Sequence, residues 1–232
     1  MKGKIPVLDH GFVKLLNISC AVEDETLLEQ APAISARISF DNFEADRTKE
    51  QDMKLLEYLI KHKHNTPVEM TEVWLEMKLP IFIARQFIRH RTATVNEVSG
   101  RYVTLPEEWY IPEVVGGKAS SNKQGQEDNL DAWTQNHFKD ALNSQCSESY
   151  RLYKIYLERG VAPEHARLLL HVNNYTHWVW KQDLHNLLHF LALRMDVHAQ
   201  VEARAYANAI YTLLQTHLPN TMKLFDKYKP LS

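Results

Sequence analysis

The amino-acid sequence predicts an α+β fold in which helices dominate, and two observations carry that expectation. Residues 46–64, 130–158, 183–195 and 197–217 read as helices, and 46–64 and 183–195 show an apolar stripe at the helical period. Residues 11–19, 65–80 and 175–180 read as strands, the second because Val73, Leu75, Met77 and Leu79 alternate with Trp74, Glu76 and Lys78. The stretch 113–129 is polar and glycine-bearing, yet neither flank is a complete fold by itself. Residues 1–232 are therefore expected to form one domain, with 113–129 as an internal loop.

The elements follow in order. GFVKLLNIS (11–19) is a short strand. Residues 23–40 start as a helix with an acidic first turn that Pro32 interrupts. In 46–64, Met53, Leu56, Leu59 and Ile60 share a face, and basic residues collect at the end, where the helix dipole favours them. Pro80 ends the alternating strand and opens the next helix, IFIARQFIRH. VTLPEEWYIP (103–112) is extended. A long helix runs from about Leu130 to Glu158, with Gly160 just past its end. APEHARLLL (162–170) is a short helix with Pro163 near its start. YTHWVW (175–180) is aromatic and β-prone. The helices over 183–195 and 197–217 complete the chain.

Composition narrows the function. A hydrophobic fraction of 44% supports a sizeable core, and a net charge of -2 argues against a nonspecific nucleic-acid or membrane-surface binder. Any anion site must be local. Neither Cys20 nor Cys146 has a CxxC partner, so a disulfide framework or a thiolate zinc site is not expected. The first residues lack the long apolar run of a signal peptide, and no run of about 18 apolar residues is present to span a membrane, so a cytoplasmic setting is expected.

The most informative stretch is RHRTATVNEVSGRY (89–102). Lysine outnumbers arginine 16 to 11 overall, yet no lysine falls between Lys78 and Lys118, where Arg85, Arg89, Arg91 and Arg101 stand. A guanidinium offers a rigid donor fork that fits phosphate and carboxylate, keeps its charge and stacks on flat rings. Asn96, Glu97, Ser99 and Gly100 add groups that can meet the edge of a ring. A solvated helix end with surface ion pairs uses the same residue types. Arg194 follows Leu187, Leu188, Leu191 and Leu193 on a mostly apolar helix, where a guanidinium is costly unless it meets an anion. Arg167 is a similar case. His185 and His189 share a helix face, but without HExxH or an evident third ligand no metal site is expected. GxSxG is absent, and Ser99 has no adjacent base other than Glu97.

The spacing of RHRTATVNEVSGR resembles the signature of the flavin-dependent thymidylate synthases, RHRxxSxNExSxR. Arg89, His90, Arg91, Asn96, Glu97, Ser99 and Arg101 match it, and Thr94 replaces a serine with another hydroxyl. ARISF, YLIKHKHNTPVEM, LPIFIARQFIRHR, WYIP and the run 175–207 are similar to further family blocks, whereas 113–150 matches weakly. At His171 the family commonly has proline.

The resemblance implies a central, mostly antiparallel sheet flanked by helices, assembled as a homotetramer with sites between subunits. It implies reductive methylation of dUMP to dTMP, with methylenetetrahydrofolate as carbon donor and FAD, reduced by NADPH, as hydride source. No nucleic acid or membrane partner is implied, and no cysteine nucleophile. Carried over by position, Gln86, Phe87, Ile88 and Arg89 would meet dUMP, and Glu97, Val98, Ser99, Gly100 and Arg101 would line its pocket. Arg101 and Arg167 would hold the phosphate. Arg194 would be the catalytic residue, promoting ionisation of uracil N3. FAD would meet Ser39, His64, Thr66, Glu69, Arg89, His90, Arg91, Asn96, Glu97, Asp183, Leu184, His185, His189 and His198. Some relatives carry Asn and Arg where Asp183 and His185 stand here. The same residues leave room for two rivals, a noncatalytic nucleotide- or RNA-binding module and a histidine-based metallohydrolase.

Overall fold

The computed structural model describes residues 3–43, 47–119, 126, 127 and 129–229. Its strands are β1 (Lys4–Val7), β2 (Gly11–Ser19), β3 (Glu72–Pro80), β4 (Thr94–Glu97), the two-residue β5 (Gly117–Lys118) and β6 (Gln126–Glu127), and β7 (Tyr175–Asp183). Its helices are α1 (Ala31–Ala36), α2 (Lys49–Lys61), α3 (Thr66–Glu69), α4 (Ile81–Phe87), α5 (Ala132–Glu158), α6 (Pro163–Ala166), α7 (Leu184–Arg194), α8 (Val201–His217) and α9 (Pro219–Tyr228).

Five strands make one sheet in the order β1-β2-β3-β7-β4, and every neighbouring pair is antiparallel. Period-two alternation sends Val13, Leu15, Val73, Leu75, Met77, Leu79, Trp178 and Trp180 to one face, where all are buried. Phe87 of α4, Leu187, Phe190 and Leu191 of α7, and Tyr206, Ala207 and Ile210 of α8 pack in the same core. Phe87 meets Phe190 edge-on at 4.8 Å and Trp180 at 6.2 Å. Each such fully buried side chain stabilises the fold by roughly 1.5–3 kcal/mol. The opposite face is polar: Glu76 joins Lys14 at 2.9 Å and His177 at 3.0 Å, and Lys181 pairs with Glu72.

Helix starts are set by side chains that satisfy orphan backbone donors. Thr48 and Gln51 form a reciprocal capping box on α2. Asp131 accepts from Thr134 N–H at 2.9 Å to begin α5, and Asp183 accepts from Asn186 N–H at 2.8 Å to begin α7. Gly160, at φ 85°, follows the end of α5 as the sequence suggests. Pro80 closes β3 and stands at the N-cap of α4.

Several expectations are corrected. Residues 23–40 do not form a helix that Pro32 interrupts; Pro32 lies in the first turn of α1, where its missing N–H is no loss, and Arg37–Phe40 continue as a 3-10 turn. The helix over 81–90 stops at Phe87. Residues 94–97, inside the arginine-rich stretch 89–102, are a strand. Residues 103–112 are extended but pair only through a bridge from Trp109 to Asn174. The strand expected over 65–80 begins only at Glu72, because Pro67 opens the short helix α3 at Thr66–Glu69. The last long helix starts at Val201 rather than 197, and β1 and α9 carry no expectation at all. Within 113–129 the short β5–β6 ladder is present, while 120–125 and 128 lie outside the described residues.

A second, smaller cluster joins Tyr150, Tyr153 and Ala166, with Trp109, Leu169 and Leu170 against them. It fastens α6 and the following turn to the second half of α5.

Gly11 opens β2 beneath Tyr206, whose hydroxyl donates to the Lys78 carbonyl at 2.7 Å. A Cβ at Gly11 would overlap that hydroxyl and stand 2.8 Å from the Lys78 carbonyl oxygen. Gly11→Ala is expected to lower unfolding free energy by about 1–3 kcal/mol or more, measured by denaturant titration. An unchanged midpoint would contradict this packing.

Candidate active site

α4 and α7 both pack on the inner sheet face, where Phe87 meets Phe190, and the end of α4, the residues after it and the end of α7 bring Gln86, His90 and Arg194 together. Arg194 Nε–H donates to His90 Nε2 at 3.2 Å, and one terminal nitrogen donates to the Gln86 carbonyl at 3.4 Å. The Gln86 side-chain amide donates to Gln200 Oε1 at 2.5 Å. The His90 ring lies edge-on to Phe190 at 4.9 Å. Burial, with Arg194 and His189 adding to it, lowers the His90 pKa from 6.5 to about 4. The imidazole is therefore neutral near pH 7, and Nε2 is free to accept. Burial also pushes the Arg194 pKa down. Among the described residues the arginine ion pairs are Arg37–Asp52, Arg101–Glu164 and Arg151–Glu148, so Arg194 has no carboxylate. A half-buried guanidinium held by neutral acceptors keeps its full charge for a ligand anion.

The end of β4 builds a second group. Glu97 is the last residue of β4, and Val98 N–H donates to His177 O at 2.8 Å, so the turn leaves the sheet beside β7. Thr176 Oγ1–H donates to the Glu97 carboxylate. A cleft of about 350 Å³ opens there, lined by Glu97, Val98, Ser99 and Gly100 on one side and Arg167 and Leu170 on the other. Leu105, Ile81, Tyr175 and Thr176 complete it. Arg167 is exposed and has no ion pair among the described residues. Arg101, by contrast, pairs with Glu164 at 3.2 Å. Ile81 starts α4 and Gln86 stands near its end, so α4 spans from this cleft to the Arg194 group.

A larger cleft of about 1140 Å³ lies between the Ser35–Phe40 segment, α2 and α3, and Ser39, His64, Thr66 and Glu69 all line it. The Tyr58 and His64 rings stack at 5.6 Å and 15°. Arg37, tied to Asp52, forms part of its wall. The flat ring pair, the hydroxyls and the volume of the cleft suit a dinucleotide of the size of FAD. α3 packs on α7, which carries His185 and His189.

Other candidates stand apart. The Phe87 and Leu184 side chains are wholly in the core, so at these positions only backbone atoms could face a ligand. Both Asp183 oxygens serve Asn186, one on its N–H and one on its side-chain amide. His198 pairs with Asp196 at 2.8 Å on the surface. Ile88, Arg89, Arg91 and Asn96 are exposed, and Arg89, His90 and Arg91 line neither cleft. Among the described residues no group of three or more His, Cys, Asp or Glu is arranged to hold a metal ion. No helix there is long and apolar enough to cross a membrane. Leu105 and Thr176 line the smaller cleft without a sequence signal of their own, because they meet it only through folding.

Comparison with known proteins places the chain in a family. Residues 21–220 match the family described as thymidylate synthase complementing protein. The flavin-dependent thymidylate synthase of Gluconobacter oxydans (strain 621H) is 43% identical over 228 residues, covering 96% of this chain and 72% of that protein. The chain belongs to the flavin-dependent thymidylate synthase family. A family member from Thermus thermophilus is also 43% identical, over 97% of this chain and 78% of that protein. The fold is shared with a solved UMP/dUMP methylase, PolB from Streptomyces cacaoi bound with 5-Br dUMP. That likeness has a TM-score of 0.83 at 23% identity, over 97% of this chain and 98% of the other.

As a flavin-dependent thymidylate synthase, the protein holds His90 unprotonated well below the usual range. Between pH 6.5 and about 4 the unfolded chain takes up a proton there that the folded chain refuses. His90 therefore draws stability down as pH falls through that window and has no such effect above it. An imidazole NMR titration is expected to place its midpoint near 4; a midpoint near 6.5 would show that burial beside Arg194 does not suppress its protonation and would overturn the expected loss of stability in acid.

Proposed function

We propose that the protein converts dUMP to dTMP by reductive methylation, with methylenetetrahydrofolate as carbon donor and NADPH as the source of reducing equivalents, and that it works in the cytosol. The observation that carries this reading is Arg194, a half-buried guanidinium with no carboxylate among the described residues, bonded to neutral His90 and the Gln86 carbonyl.

The cleft beside β4 takes dUMP in this reading. Arg167 binds the phosphate with a bidentate fork, and Arg101 joins it by exchanging Glu164 for the ligand. The Ser99 hydroxyl and the Glu97 carboxylate bind the nucleotide, with Thr176 fixing the carboxylate. Arg194 stabilises the anion left when uracil N3 loses its proton, which makes C5 more nucleophilic; a fixed cation acts best where water is scarce. The Gln86 amide, turned by Gln200, orients the base.

The volume of the larger cleft and its ring pair support FAD as its ligand. Ser39, His64, Thr66 and Glu69 would hold it, joined by His185 and His189 of the neighbouring α7. Bound FAD, reduced by NADPH, would supply the hydride. Arg89, His90, Arg91 and Asn96 would meet FAD across a subunit boundary. A homotetramer, with residues 1–232 as one domain in each copy, fits three features. The FAD and dUMP residues are split between two clefts, Arg89 and Arg91 have no ion pair among the described residues, and Ile38, Phe40, Tyr102 and Leu168 are exposed beside these clefts.

A visible spectrum of the purified protein is expected to show a flavin band, with NADPH oxidation that depends on folate and is stimulated by dUMP. A colourless protein that fails to take up added FAD would overturn the reading. Arg194→Ala is expected to retain FAD and lose roughly 10²–10³-fold in turnover, the scale of one lost electrostatic donor. Cys20→Ala with Cys146→Ala is expected to leave dTMP formation intact, since both thiols lie away from the two clefts and burial raises the Cys146 pKa; abolished activity would point to a thiol nucleophile.

A further inference from the structure

Leu105 lines the smaller cleft, yet it belongs to no strand. Pro106 follows it and favours an extended backbone at Leu105. An extended residue against an apolar wall needs partners for its N–H and C=O. Two tyrosines of α5 supply both. Leu105 N–H donates to Tyr153 Oη at 3.1 Å, and Tyr150 Oη–H donates to Leu105 O at 3.0 Å. The tyrosines are three residues apart, so one helix face presents both hydroxyls. Burial raises the Tyr150 pKa, which keeps that hydroxyl a donor.

Leu105 is also the spacer between the two sides of the cleft. A Cβ at Gly100 would stand 3.1 Å from Leu105 Cδ1 and 3.4 Å from Arg167 Cδ. The Leu105 side chain and the stem of Arg167 thus both border the Gly100 backbone, leaving little room for a side chain there. α5 holds the Arg167 side too, because Tyr150 and Tyr153 pack with Ala166, Leu169 and Leu170. Packing alone does not demand the hydroxyls: the Tyr150 and Tyr153 rings lie 5.7 Å apart, and phenylalanine would fill the same space.

We infer that Tyr150 and Tyr153 are positioning residues for the nucleotide cleft, clamping Leu105 so that Ser99, Gly100 and Arg167 stand at the spacing dUMP requires. This rests on the reading of that cleft as the dUMP site. Neither tyrosine touches the nucleotide.

The test compares the parent holoenzyme with Tyr150→Phe/Tyr153→Phe and with Arg167→Ala. The double variant is expected to raise Kd and KM for dUMP about tenfold, the scale of two lost hydrogen bonds, with kcat at saturating dUMP and FAD content within about twofold of the parent. Arg167→Ala reports independently on whether the cleft binds nucleotide. If it weakens dUMP binding while the tyrosine pair leaves it unchanged, the clamp is overturned and the cleft reading stands. If neither substitution alters dUMP affinity, the cleft reading fails and the clamp with it. A fall in kcat or FAD content as large as the rise in KM would mark the tyrosines as general supports and overturn the positioning role. Should the double variant fail to fold, Tyr150→Phe alone is expected to raise KM about threefold, and an unchanged KM overturns the proposal.

Discussion

The nine-residue antiparallel pairing of β3 with β7 sets where the candidate site can form. Its register puts Leu75 beside Trp180 and Met77 beside Trp178, so the middle of the inner face is apolar, with buried Gln182 and Thr176 opposite Val73 and Leu79 toward its two ends. Each strand then delivers a helix at its end. β3 turns at Pro80 into α4 and its Gln86, and β7 turns at Asp183 into α7 and its Arg194. The free edge of β7 takes β4, which ends at Glu97. A slip of one residue in this register would reverse the two faces and separate all three deliveries at once. Core packing and active-site geometry therefore depend on the same hydrogen-bond ladder.

Electrostatics divides the arginines into two kinds. Arg37 and Arg151 are paired with carboxylates and act as structural ties. Arg167 and Arg194 carry no carboxylate among the described residues, and Arg194 is also partly taken from water. A cation in that state is destabilising on its own. The fold tolerates it because Arg194 bonds to neutral acceptors, His90 and the Gln86 carbonyl, which satisfy its hydrogens without neutralising its charge. A carboxylate at the position of His90 would stabilise the empty protein more and serve an anionic ligand less.

Much of this is legible in the sequence, for identifiable reasons. β3 shows because one face is buried and the other is wet, so the alternation is clean. Arg194 shows because a charge stands among leucines. β4 is harder: it is four residues long, lies at the edge, and begins just after arginines that read as a helix end. A signal is present, since Ala93 and Val95 pack on the core while Thr94 and Asn96 face out, but it covers one period and a half. α9 escapes a sequence reading because half its hold is remote: Glu29 accepts from the Asn220 and Thr221 N–H groups at 2.6 and 3.0 Å, from the far end of the chain. The Leu105 wall is invisible for the same reason, as its partners lie on α5.

The segment 103–112 shows how a chain can be extended and ordered without a ladder. Tyr110 N–H donates to Asn173 O, Asn173 Nδ2 returns a bond to Tyr110 O, and Asn174 Nδ2 reaches Glu108 O. Asp9 accepts from Ile111 N–H at 3.1 Å and from the Tyr175 hydroxyl. The Tyr110 hydroxyl donates to Glu202 at 3.1 Å. Burial, followed by these neighbouring acids, raises the pKa values of Tyr110 and Tyr175, so their hydroxyls stay protonated as donors. Side chains from the turn before β7, from α8, from α5 and from the β1–β2 turn thus do the work that a neighbouring strand would do. Such a segment can take the shape its cleft needs, because no pleat dictates where Leu105 must point. It depends instead on many separate donors and acceptors outside the sheet, so the cleft wall and the sheet are held by different bonds.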